Sequence, residues 1–126
     1  MQKLIAVSAL LFSSLVYAHS QTPMSIKTLT YEPYVIAKIQ IGNLRNVKQN
    51  FDIYIDDVKT NQVIPLQSGK TRKINVKIKN IIPDKKQVFE VCSVSQPLEN
   101  DMFRSRICTD VKVYYPLSRL QHHYQQ

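Results

Sequence analysis

The chain has 126 residues, with 17 Lys and Arg against 9 Asp and Glu and a formal net charge of +8. Its length allows a single domain with a modest core. Three histidines and two cysteines leave little material for a metal centre or for nucleophilic catalysis.

The first residues, MQKLIAVSALLFSSLVYAHSQ, have the layout of an export signal. Lys3 supplies a positive start, Leu4 to Val16 an apolar run, and Val16-Tyr17-Ala18 a small-residue ending suited to signal peptidase. The run is short for a membrane span. Residues 1–18 are therefore expected to be removed, leaving 108 residues with a net charge of +7 once Lys3 is gone. The product should be soluble and periplasmic or secreted. A basic exported domain is drawn to anionic lipid headgroups, cell-wall polymers or acidic proteins. Nucleic acid becomes a partner only where DNA crosses that compartment, as in conjugation.

The rest of the chain alternates with period two. MSIKTLTY (24–31) reads as a first strand closed by Glu32-Pro33, and YVIAKIQIG (34–42) turns Val35, Ala37, Ile39 and Ile41 to one face. LRNVKQN is a loop. FDIYID (51–56) points Phe51, Ile53 and Ile55 inward and Asp52, Tyr54 and Asp56 outward. DVKTNQ reads as a turn into a short strand, VIPL, whose Pro65 argues for a sheet edge. RKINVKIKN (72–80) directs Ile74, Val76 and Ile78 inward. Gly42 and Gly69 both read as strand-end turn residues.

Val88–Ser95 and Ile107–Tyr114 flank QPLENDMFRSR, which has turn chemistry at Pro97 and Glu99-Asn100-Asp101. Centring a hairpin on Asn100 sets Cys92 opposite Cys108, Val91 opposite Thr109, Phe89 opposite Val111 and Ser93 opposite Ile107. One register thus puts Phe89, Val91, Ile107, Val111 and Val113 on a core face and both cysteines together on the other, and a one-residue slip spoils both. Zinc would need two further close ligands, and a thioredoxin-type motif needs cysteines two residues apart. In an oxidising compartment the pair is expected to be a structural disulfide. The expected fold is all-β: an immunoglobulin-like two-sheet β-sandwich of about seven strands over residues 19–116, with a stapled C-terminal hairpin and a polar tail, 117–126.

The run Ile41-Gly42-Asn43, Phe51 to Ile55, and Leu66 with Gly69 ahead of the Ile74 strand resembles cell-adhesion-related (CARDB-like) bacterial immunoglobulin-like modules. That resemblance implies an extracytoplasmic sandwich acting by contact.

Little catalytic chemistry is legible. Cleavage after Ala18 would make His19 a free N-terminus able to grip copper, but His122 and His123 lie in the tail and supply no ligand from the body of the fold. The serines have no histidine within the fold to serve as base. No D-x-D-x-D-G loop marks a calcium site, and no cleft converges two carboxylates. No cofactor, metal or enzyme activity is expected. Two surfaces remain as candidate contacts. One is the row Lys73, Lys77 and Lys79 on the outer side of strand 72–80, which reads equally as edge protection. The other is the hairpin tip with Met102, Phe103, Arg104 and Arg106. Together they suggest an accessory subunit of an envelope assembly (a secretion, conjugation or pilus apparatus), with a free cationic binder of an anionic ligand as the alternative. Prepilin features are absent, which excludes a type IV pilin.

Overall fold

The computed structural model describes residues 18–99 and 104–119. Eight strands form two sheets: β1 (His19–Thr22), β2 (Ser25–Leu29), β3 (Tyr34–Asn43), β4 (Gln49–Ile55), β5 (Val58–Leu66), β6 (Thr71–Lys79), β7 (Gln87–Ser95) and β8 (Arg106–Tyr114). The three-stranded sheet runs β1-β3-β6, and the five-stranded sheet runs β2-β8-β7-β4-β5. All neighbouring strands are antiparallel except β2 and β8, which run parallel. The all-β, immunoglobulin-like sandwich predicted from periodicity is the observed architecture.

The inward positions are those the alternation indicated, except that Ile107 is only half-buried and outside the core cluster; Asp52, read as outward, is buried. Val35, Ala37, Ile39 and Ile41 of β3 and Ile74, Val76 and Ile78 of β6 face Phe51, Ile53, Ile64, Leu66, Val91, Val111 and Val113 from the other sheet, all in one buried cluster. The hairpin has the expected register, with Cys92↔Cys108, Val91↔Thr109, Phe89↔Val111 and Ser93↔Ile107. The two cysteines are joined. Pro65 lies in β5, an edge strand as anticipated.

Three local readings need correction. The expected first strand is the second, because His19–Thr22 forms a strand on β3. Its inward residues, His19 and Gln21, are polar and buried, so no apolar period announces it. The chain also reverses earlier than DVKTNQ suggested. Asp56 and Asp57 take φ of 48° and 65°, the left-handed pair that a two-residue hairpin turn requires and that Asp tolerates. β5 therefore begins at Val58. Gly42 is not a turn residue. It lies within β3, paired to Ser20 on one side and Thr71 on the other. A Cβ there would lie 2.5 Å from Ser20 Oγ, so glycine permits the close approach of β1.

The run from Asn43 to Gly69 has a physical centre. Asn43 is fully buried; its Nδ2 donates to the carbonyls of Val47 (2.8 Å) and Leu66 (3.1 Å), and its Oδ1 accepts from Arg45 N at 2.9 Å. The Gly69 amide donates to the Asn43 carbonyl at 2.9 Å. One side chain thus ties the β3–β4 loop to the β5–β6 turn.

Candidate binding surfaces

The outer face of the three-stranded sheet is built by alternation on two long neighbours. Register pairs Tyr34 with Lys79, Ile36 with Lys77, Lys38 with Asn75 and Gln40 with Lys73. All four lysines are exposed, and no Asp or Glu occurs anywhere in β1, β3 or β6. Lys77 Nζ lies 4.4 Å from the Tyr34 ring centroid, a cation–π contact. Among the described residues Lys38, Lys73 and Lys79 make no ion pair. β6 is an edge strand, so the lysine row does lie where charge also blocks strand addition. From Lys73 to Lys79 the row runs about 20 Å at strand rise.

The base of the hairpin is different. Arg104 donates from Nε to the Ser95 carbonyl at 2.9 Å and from Nη2 to Asp52 Oδ2 at 3.2 Å. Asp52 is 3% exposed and also accepts from Gln96 Nε2 at 2.8 Å, with Lys59 Nζ 3.8 Å away. Arg106 pairs with Asp57 and, at 3.0 Å, with Glu90; hydrogen bonds to these two carboxylates push its pKa further up. The two arginines read from sequence as exposed contacts are thus engaged by carboxylates of their own chain. Met102 and Phe103 lie outside the described residues, as do His122, His123 and residues 1–17.

His19 occupies the seam between the sheets. Its ring is fully buried and tilted against Phe51, 4.7 Å between centroids. Ser93 Oγ donates to Gln21 Oε1 at 2.6 Å, so His19 Nε2–H must donate to Ser93 Oγ at 3.0 Å. Nδ1 then accepts from the Ser105 hydroxyl. Gln21 Nε2 donates to the Val91 carbonyl (2.9 Å) and to Thr109 Oγ1 (2.8 Å), which donates to the Pro23 carbonyl at 2.6 Å. The reading that the serines have no histidine within the fold to serve as base overlooks His19, which meets two of them, brought together across 74 and 86 residues. Burial lowers the His19 pKa to about 4, and both ring nitrogens are engaged by hydroxyls. The ring is a neutral structural link, with no nitrogen free for copper and little basicity for catalysis.

Among the described residues one group has metal-ligand proximity: Glu90 with Cys92 and Cys108. Its sulfurs are bonded to each other, so neither is a thiolate. No helix of the described residues is long and apolar enough to cross a membrane.

No protein-family model matches the sequence, and no curated protein does. The CARDB-like resemblance therefore remains a description of the Asn43-centred run. Solved structures are similar in fold. The periplasmic chaperone SfaE superposes with a TM-score of 0.60 at 12% identity, over 77% of this chain and 57% of that one. The Salmonella enterica SafA pilin–SafB chaperone complex gives 0.63 at 9%, over 79% and 55%. A PapD-like domain of human CEP192 gives 0.54 at 11%, over 79% of this chain and 85% of that domain. The chain thus spans little more than half the length of the chaperone-system chains but most of a single PapD-like domain. At these identities the likeness establishes the immunoglobulin-like fold.

Proposed function

We propose that this is an exported, non-enzymatic binding protein serving a bacterial envelope assembly, with protein subunits of that assembly as its partners. The observation that carries the reading is a conjunction. A chain that begins like an export signal folds as a sandwich similar to those in a periplasmic chaperone and a pilin–chaperone complex, and its own hairpin is closed by a disulfide. Sheet edges are the natural contacts, because an edge strand offers unpaired backbone groups to an extended segment of a partner. The lysine row beside edge β6, Lys73, Lys77 and Lys79, selects acidic segments, and the hairpin tip with Met102 and Phe103 adds apolar contacts.

A second reading has its own observation. The uniform charge of the three-stranded sheet suits a free cationic binder of an anionic polymer or headgroup. Pull-down of the tagged protein from its own cell envelope, eluted at low and high salt, separates the two. A stoichiometric set of envelope proteins that survives high salt supports the assembly role. Recovery of lipid or polymer alone, released by moderate salt, replaces it with the second reading.

A further inference from the structure

The outer face of the five-stranded sheet carries another feature, away from the ion-paired base of the hairpin. At its β2–β8–β7 corner Lys27 lies directly beside Lys112 and Leu29 beside Tyr114, and Val88 stands opposite Lys112 on the other side. With Lys86, these side chains line an open hollow of about 400 Å³, at the small end of the roughly 300–1,000 Å³ typical of ligand sites.

Two observations there are not explained by folding. Like charges set side by side on neighbouring strands repel, yet the side chains of Lys27, Lys86 and Lys112 make no ion pair or hydrogen bond among the described residues. On this face the next paired positions carry Asp110, beside Ser25 and Glu90, and Glu90 itself, which is paired with Arg106. Between the ammonium groups, Leu29 and Val88 are 58% and 61% exposed. Folding gains nothing from leaving them so.

An apolar floor rimmed by cations calls for a ligand with one anionic head and one apolar tail. Protein interface cores are depleted in lysine, which argues against a protein here. A flat anionic bilayer would also meet Glu90, Asp110 and Asp57 on the same side, which argues against a membrane surface. We propose that this hollow binds a single-chain anionic amphiphile, its head between Lys27 and Lys112 and its chain along Leu29 and Val88. This site is independent of the lysine row on the opposite sheet.

The test uses decyl phosphate below its micelle-forming concentration, followed by amide chemical shifts. The expected result is one-to-one binding that shifts Lys27, Leu29, Val88 and Lys112. K27Q/K112Q should weaken it at least tenfold while melting no lower than the parent, since a repulsion has been removed. K73E/K77E/K79E should leave it unchanged. Inorganic phosphate and neutral decyl maltoside should each bind at least tenfold more weakly. Equal binding of the neutral amphiphile, unchanged affinity in K27Q/K112Q, loss in the row variant, or binding only to phosphatidylglycerol vesicles would each overturn the proposal.

Discussion

The hairpin base on the five-stranded sheet and the outer face of the three-stranded sheet use their charges in opposite ways. On the five-stranded sheet the hairpin base is internally matched: Asp52 holds Arg104 and Lys59, and Arg106 bridges Asp57 and Glu90. On the three-stranded sheet Lys38, Lys73, Lys77 and Lys79 share one face without a carboxylate among the strands. The first arrangement spends charge on holding a loop in place, and the second projects it outward. A cation count along the sequence does not separate the two, because what decides is which neighbouring strand or turn supplies an acid. The difference is open to test by perturbing each side and the seam that joins them.

The largest effect is expected at the hairpin. The Cys92–Cys108 bond spans 16 residues, and closing such a loop contributes about 3 kcal/mol in the chain-entropy account. Reduction, or C92A/C108A, should lower the melting temperature by roughly 10–20 °C. The loss should occur with no release of metal, read by calorimetry alongside metal analysis of the buffer. Free thiols in the native exported protein would remove the staple from the comparison altogether.

The seam comes next. The folded His19 pKa of about 4 lies below the ordinary 6.5, so the unfolded chain binds a proton more readily than the folded one between these values. The contribution is complete above pH 6.5 and is lost as pH falls toward 4, on the order of 2 kcal/mol by pH 5. Chemical denaturation at pH 7 and pH 5 should show this loss in the parent and a much smaller one in H19Q. An equal slope in both would mean that carboxylates elsewhere govern acid stability.

How far these features were readable depends on whether their cause is local. The hairpin register followed from two constraints in one stretch, a core face and a cysteine pair, and the lysine row from alternation within β6. Strand β1 was invisible because its buried residues, His19 and Gln21, are polar and are satisfied by Ser93, Val91 and Thr109 some 70 to 90 residues away. The β4–β5 turn was displaced because Asp56 and Asp57 accept a backbone that composition alone does not announce. Arg104 read as free because its acid, Asp52 of β4, is 52 residues distant, and Arg106 because one of its two acids, Asp57, is 49 residues distant in the turn after β4. Side chains whose partners lie far along the chain carry no local signature.

A smaller effect tests the matched sheet directly. Asp52 is nearly buried and accepts from both Gln96 and Arg104. D52A leaves those donors unmet and should cost about 1–2 kcal/mol, measured by urea unfolding with an unchanged slope. Loss within about 0.5 kcal/mol would mean that water replaces the carboxylate and that the hairpin base is held by its disulfide and its remaining hydrogen bonds and ion pairs.

The smallest stability effect belongs to the unmatched sheet, and it carries the most functional information. Lys73, Lys77 and Lys79 are exposed, and none is paired to an acid, so K73E/K77E/K79E should change stability by no more than about 0.5 kcal/mol. Replacing a row of like charges also relieves repulsion with Lys38, which biases the sign toward stabilisation. Partner capture from the envelope should nevertheless fall sharply, because the same change reverses the field that β6 presents. If the variant folds and captures its partners as the parent does, the row acts as edge protection. The outward charge of the three-stranded sheet then guards against strand addition, and the contacts must be sought at the hairpin tip.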